Sequence, residues 1–218
     1  MMTGRSYTPG SRAASNENRL AIFIDGSNLY HALRDNFGRV DLNFAEFINK
    51  LCGQRQLFRT YYYNVLRDPS QRPEGYPEQQ LFLDMLRKTP YLEVRLGSTK
   101  LSQGVPVEKG IDIMLATDLL HFAWNNLYDA AILVSGDADF AYALQAAKNM
   151  GKHMEVAYFE SNVSKDLRDV ADNLHLMDRN FFKGLWRAKG PRLGRPRSSP
   201  RRNPQPALQQ EITPSPTL

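Results

Sequence analysis

The stretch Leu20-Ala21-Ile22-Phe23-Ile24-Asp25-Gly26-Ser27-Asn28 decides the fold. Five apolar residues in a row, without alternation, predict a strand buried on both faces, as in the middle of a parallel sheet. The strand ends on an acid, and residues 27–36 then take helical spacing. The same order recurs downstream, where Ala130-Ala131-Ile132-Leu133-Val134 runs into Ser135-Gly136-Asp137-Ala138-Asp139-Phe140.

Working outward, strands and helices alternate. Residues 44–54 place Phe44, Phe47, Ile48 and Leu51 at spacings of three and four, a helix. Residues 58–66 are rich in aromatic and β-branched types, a strand whose Tyr61, Tyr62 and Tyr63 are expected to pack in the core. Residues 77–88 open on Pro77 and predict a helix with Leu81, Met85 and Leu86 on its apolar side. A strand over 91–96 follows, then a long helix over 110–126 with Ile113, Met114, Leu119, Leu120 and Trp124 as its apolar side. After the strand at 130–134 come a helix over 139–150 ending at Gly151, a strand over 155–159, a short helix over 164–172 and a last strand over 174–177. Such βαβ alternation with short connections predicts an α/β sandwich: a central, mostly parallel sheet covered on both faces.

Ligands in open parallel sheets bind beyond the carboxyl ends of strands, where the strand order reverses. Asp25 and Asp137 each follow a strand, Asp139 is two residues on, and Asp112 follows Lys109-Gly110-Ile111 at the start of the long helix. Singly, each acid is explained as well by a turn or a helix cap. Together they are a candidate cation site, because carboxylates gathered without counter-charge repel, and hard oxygen ligands suit Mg²⁺ or Mn²⁺. Asn28 is a candidate for holding a phosphate oxygen or a water, with Ser27, Lys109 and Ser135 beside the acids as further substrate-binding candidates. Asp118, some 120° around the helix from Asp112, is expected to be an outer-shell or structural group rather than a metal ligand. Phosphate-binding glycine loops, a dinucleotide fingerprint and a Gly-x-Ser-x-Gly elbow are absent, and Ser27 stands where a haloacid-dehalogenase-type phosphatase needs its second Asp.

The blocks Ile24-Asp25-Gly26-Ser27-Asn28, Lys109-Gly110-Ile111-Asp112 and Leu133-Val134-Ser135-Gly136-Asp137-Ala138-Asp139-Phe140 resemble the signature of NYN domains of the LabA-like group, in the PIN-like nuclease superfamily. The resemblance spans about residues 19–180. It implies a Rossmann-like, PIN-like three-layer sandwich and a Mg²⁺- or Mn²⁺-dependent ribonuclease site, with Asp25, Asp112, Asp137 and Asp139 as catalytic, metal-holding acids. RNA, single-stranded, is then the expected partner, and homo-oligomerisation stays open. The competing readings are a non-catalytic RNA- or protein-binding NYN module and a metal-dependent phosphatase or nucleotidase acting on small phosphate esters.

Composition bounds the rest. The chain has 218 residues, 42% of them apolar, enough for one sizeable core. No run suits a membrane span or a secretory signal, and the lone Cys52 excludes a disulfide framework and a Cys-rich zinc site, so a cytoplasmic setting is expected. His31, His121, His153 and His175 show no close metal-ligand spacing. The net charge of +5 is unevenly spread: from Arg187 onward seven basic residues face one acid, and the middle of the chain is mildly acidic. Residues 1–18 and 187–218 are expected to be disordered tails, the latter basic and rich in Pro and Arg, around a domain at 19–186. An acidic cleft repels a polyanion, so Arg34, Arg39, Arg67, Arg72, Arg95, Lys100 and the C-terminal arginines are expected to hold the substrate.

Overall fold

A run of residues sealed on both sides has to lie mid-sheet, and Leu20 through Ile24 are all fully buried. They form β1 (Arg19–Asp25) of a seven-stranded sheet. The computed structural model describes residues 19–66, 75–102 and 105–187, and within these the side chains of 99–109 are outside the description. Helices α1 (Gly26–Phe37) and α2 (Phe44–Cys52) lead to β2 (Gln56–Leu66), and α3 (Tyr76–Arg87) to β3 (Leu92–Ser102) and β4 (Val105–Lys109). Then follow α4 (Ile111–Trp124), β5 (Ala130–Val134), a 3₁₀ turn (Ala138–Phe140), α5 (Ala141–Asn149), β6 (His153–Tyr158), α6 (Lys165–Val170) and β7 (Asn173–Leu176).

The strand order is β4-β3-β2-β1-β5-β6-β7. Every pairing is parallel except β3 with β4, an antiparallel hairpin at the edge. The order runs outward from β1 first one way, to β2 and β3, and then the other, to β5. The topological switch point therefore lies between β1 and β5, where Ile24 is in register with Val134.

Side-chain alternation divides the core into two layers. Leu20, Ile22, Ile24, Ile132 and Val134 face Leu29 and Leu33 of α1, Phe44, Phe47 and Ile48 of α2, and Leu86 of α3. Ala21, Phe23, Tyr61, Tyr63 and Leu133 face Leu115 and Leu119 of α4, Leu144 of α5 and Leu167 of α6. This is the three-layer α/β sandwich expected. The tyrosines of β2 are buried as expected, and Gly151, at φ +81°, follows the end of α5. Residues 178–187 complete the first layer: Phe182 stacks on Phe47 and Phe159, Trp186 stacks on Phe182, and the Asn43 amide donates to the Leu185 carbonyl at 2.8 Å. Glu155, buried among these strands, is satisfied by Arg55 Nη1 at 2.7 Å and His175 Nε2 at 2.6 Å.

Four local expectations are corrected. The buried face of α4 is Ile111, Leu115, Leu119 and Ala123, whereas Ile113 and Trp124 are exposed. In α3 the buried residues are Leu83 and Leu86, with Leu81 in solvent. The strand at 91–96 runs on to Ser102 and turns back as β4. The helix expected at 139–150 enters through the 3₁₀ turn capped by Asp137. The expected tail at 1–18 and, apart from Arg187, whose amide donates to the Asp41 carbonyl at 2.9 Å, the one at 187–218 lie outside the described residues. Among those described, no helix is long and apolar enough to cross a membrane.

Candidate functional site

The carboxyl end of β1 turns directly into α1, so Asp25 serves as the helix cap: its Oδ1 accepts the Asn28 amide at 3.0 Å. Its other oxygen accepts the Ser135 hydroxyl at 3.2 Å. The same Ser135 oxygen accepts the Asp137 amide at 3.2 Å, which links the β1 end to the β5 end. Asp137 in turn caps the 3₁₀ turn by accepting the Asp139 amide at 3.1 Å. Asn28 Oδ1 accepts two donors, the Gly136 amide at 3.2 Å and Asn162 Nδ2 at 3.1 Å, tying α1 to β5 and to the loop before α6.

Two glycines permit this packing. A Cβ on Gly26 would sit 2.5 Å from the Tyr63 carbonyl, and one on Gly136 would sit 2.2 Å from the Asn162 carbonyl. The turns after β1 and β5 are therefore set by backbone crossings as much as by the acids.

The first turn of α4 closes the site from the third side. Asp25, Ser27, Asn28, His31, Gly110, Ile111, Asp112 and Asp137 line one cleft of about 200 Å³. Asp25 is 5% exposed, and its pKa is raised to about 6. Burial is the main cause, the Asn28 and Ser135 hydrogen bonds work against it, and the charges of Asp112 and Asp137 add to the rise.

Of the residues singled out from sequence, Asp25, Asp112, Asp137, Ser27 and Asn28 are brought together around the cleft. Ser135 lies buried beneath Asp25 as its hydrogen-bond donor. Asp139 is exposed and is not among the lining residues. The side chain of Lys109 lies outside the described residues, although its backbone closes β4. Asp118 is structural, as expected: it accepts the Tyr63 hydroxyl at 2.9 Å and faces Arg95. His31 went unnoticed among four scattered histidines. It sits one helical turn after Asn28, and that spacing from an already suspected residue was the available signal.

The donor set fits a hard cation in chemistry: three carboxylates and an amide share a cleft in which, among the described residues, no Lys or Arg is a lining residue. Among the described residues, no three His, Cys, Asp or Glu side chains stand close enough to form a closed ligand cage. The fit is thus to an ion that keeps much of its water and takes few carboxylates, which is the habit of Mg²⁺. Of the basic groups expected to hold substrate, none is among the described lining residues. Arg34 pairs with Asp35, Arg39 with Asp41, and Arg95 with Glu93; Arg67, Arg72 and the Lys100 side chain lie outside the described residues.

Comparison with known proteins agrees with this geometry. The NYN domain family model matches residues 19–178. The low amplitude and bright protein LabA of Synechococcus elongatus is 28% identical over 158 residues, which cover 71% of this chain and 81% of LabA. The crystal structure of a protein of unknown function from Vibrio parahaemolyticus shares the fold, with a TM-score of 0.65 at 22% identity, over 77% of this chain and 98% of that one. With strand-end acids on a parallel sheet and a family match across residues 19–178, the chain belongs to the NYN domain family, as a LabA-like member of the PIN-like nuclease superfamily.

Proposed function

We propose that this protein is a Mg²⁺- or Mn²⁺-dependent ribonuclease that hydrolyses phosphodiester bonds of single-stranded RNA in the cleft between β1, β5 and α4. The observation that carries the reading is Asp25. A carboxyl group at the switch point, buried, with its pKa raised to about 6 and two more acids around it, is costly unless a cation or a reacting group uses it. Family membership supports RNA as the substrate class.

Asp25, Asp112 and Asp137 are the residues that would hold the ion, with Asp139 as the fourth acid of the set. When bound, a divalent cation supplies charge compensation at the phosphate and makes water acidic enough to serve as nucleophile near neutral pH. Asp25 and Ser135 keep the buried floor of the cleft fixed, so the carboxylates need no reorganisation as charge develops on the phosphate. Asn28, its carbonyl oxygen engaged by Gly136 and Asn162, sets the distance between the α1 and β5 sides. His31, also among the lining residues, would add a nitrogen ligand or donor beside the carboxylates. The acidic cleft leaves the hold on the polyanion to outlying basic groups, and Arg192, Arg195, Arg197, Arg201 and Arg202 of the C-terminal segment fit that task by charge.

The test compares purified wild type with Asp25→Asn on a labelled single-stranded RNA, with Mn²⁺ and with a chelator. Cleavage that needs the cation and vanishes in a folded Asp25→Asn variant is the expected result. Equal cleavage by the two proteins sinks the reading. Hydrolysis of p-nitrophenyl phosphate with RNA left intact would replace it with the small-ester phosphatase, and RNA binding without any cleavage would replace it with the binding module.

A further inference from the structure

The side-chain amide of Asn28 has two ends, and the fold bonds only one of them. The Gly136 main-chain N–H can only donate, so the Asn28 atom 3.2 Å from it is the carbonyl oxygen, Oδ1. Asn162 Nδ2 donates to the same oxygen at 3.1 Å. An amide oxygen has two lone pairs, and both are then engaged. The amino group, on the other side of the side chain, donates to no protein group among the described residues. Asn28 lines the cleft beside Asp25, Asp112 and Asp137, so its amide meets the cleft as a donor. A half-turn about its last bond would present an oxygen there instead, with the same shape.

Asn162 is exposed and is not among the lining residues, so it reaches the cleft only through Asn28. Main-chain bonds fix its loop: the Asn162 amide donates to the Phe159 carbonyl at 3.1 Å, and the Ser164 amide to the Gly136 carbonyl at 2.9 Å. The loop holds α1 a second time, where Asn36 Nδ2 donates to Ser161 Oγ at 3.0 Å.

We infer that Asn162 is a positioning residue of this site: by filling the second lone pair of Asn28 Oδ1, it commits the Asn28 amino group to donate to a phosphate oxygen of the substrate. This rests on the phosphodiester reading proposed above, and it gives the anion a neutral donor beside carboxylates that repel it. Without Asn162 the Gly136 bond alone remains, and a divalent ion among the acids competes for the spare lone pair. Hydrogen bonds to charged acceptors are the stronger ones, so the donor matters most as charge builds on the phosphate. Its loss belongs in kcat, while basic groups elsewhere along the RNA set KM.

The test is a double-mutant cycle on the full chain, with labelled single-stranded RNA and Mn²⁺. Asn162→Ala should lower kcat roughly tenfold and leave KM and Mn²⁺ affinity within about twofold of wild type. Asn28→Asp keeps the oxygen that Gly136 needs but removes the donor, and should lower kcat by roughly a hundredfold. The two together should be no worse than Asn28→Asp alone, because Asn162 then has nothing to position. Ser161→Ala, which frees the loop at its other hold on α1, should cleave as the wild type does. Additive losses, a fall in Mn²⁺ affinity with Asn162→Ala, or an equal loss with Ser161→Ala would show a merely structural role and overturn the inference; so would an undiminished kcat in Asn162→Ala. A readout without turnover is the NMR signal of the Asn28 side-chain amino group, with Mg²⁺ and inorganic phosphate as the probe. Phosphate should shift that signal in the wild type and leave it unmoved in Asn162→Ala. A wild type that cleaves no RNA fails the nuclease reading alone, and the NMR comparison then decides the role of Asn162: an amino group that ignores phosphate, or answers it equally in both proteins, overturns it.

Discussion

Ser135 donates its hydroxyl hydrogen to the buried Asp25 carboxylate at 3.2 Å across the seam between β5 and β1. One oxygen therefore joins the two strand ends that carry the candidate acids, because it also accepts the Asp137 amide. Ser135 acts on the site through Asp25, as a positioning group. Its side chain is too deep, at 2% exposure, to meet a substrate.

Removing that hydroxyl tests the link. Ser135→Ala leaves a buried carboxylate short of a donor and an amide short of an acceptor, at a cost of about 1–3 kcal/mol. The Asp25 pKa, held down in part by this bond, should climb above about 6. Carbon-detected titration of Asp25 reads the second effect directly. An unmoved titration would show that the bond does not form in solution.

Asp25 also makes the cation-free protein sensitive to pH. Its folded-state pKa of about 6 lies above the ordinary 3.8, so the native state holds the proton more tightly than the unfolded one. Stability from this group is full below about pH 4 and is lost as pH rises through 6. Asp25→Asn, which can keep the helix cap, should therefore be more stable than wild type at pH 7.5 in chelator, by an upper limit of about 3 kcal/mol, with the difference gone near pH 4. Urea denaturation at the two pH values decides it. A difference that grows on acidification would reverse the sign and discard the argument.

What could be read from the residues alone follows from how strongly the core constrains each segment. Leu20 to Ile24 and Ala130 to Val134 have no polar option and could only be central strands, and the acids at their ends followed. Helix α4 defeated periodicity because it carries apolar residues on its outer as well as its inner side, so Ile113 and Trp124 were expected on the buried side while Leu115 was left off it. In α3 the same ambiguity set Leu81 against Leu83. The β3–β4 hairpin lies at a sheet edge, and polar Ser98, Thr99 and Lys100 in the sequence concealed it. His31 and the Asn162 contact come from chain segments that meet only in the folded protein.

Divalent cations should stabilise the protein. At a hundredfold excess over its Kd, Mg²⁺ or Mn²⁺ adds about 2.7 kcal/mol, readable as a rise in Tm that a chelator cancels. Asp112→Asn and Asp137→Asn, both in the cleft lining, should each lower Mn²⁺ affinity by roughly tenfold or more in calorimetry. Asp139→Asn, outside the lining, should do less. Equal losses at all three positions would mean that the cleft is not where the ion sits.

Gly136 provides the sharpest check on the backbone crossing beneath the site. A methyl group there would stand 2.2 Å from the Asn162 carbonyl oxygen and 2.8 Å from its carbon, both main-chain atoms that no rotamer change can clear. The loop before α6 would have to back away, stretching the Ser164 amide from the Gly136 carbonyl and Asn162 from Asn28. Gly136→Ala should cost about 2–3 kcal/mol and speed amide exchange at residues 160–164. Gly151→Ala is the control: its φ of +81° strains an alanine, but nothing lies within 4 Å, so only about 1 kcal/mol is expected and the site should keep its exchange rates. If Gly136→Ala melts with the wild type and the loop exchanges as before, the close approach of β5 to that loop, and with it the rigid spacing of Asp25 and Asp137, is wrong.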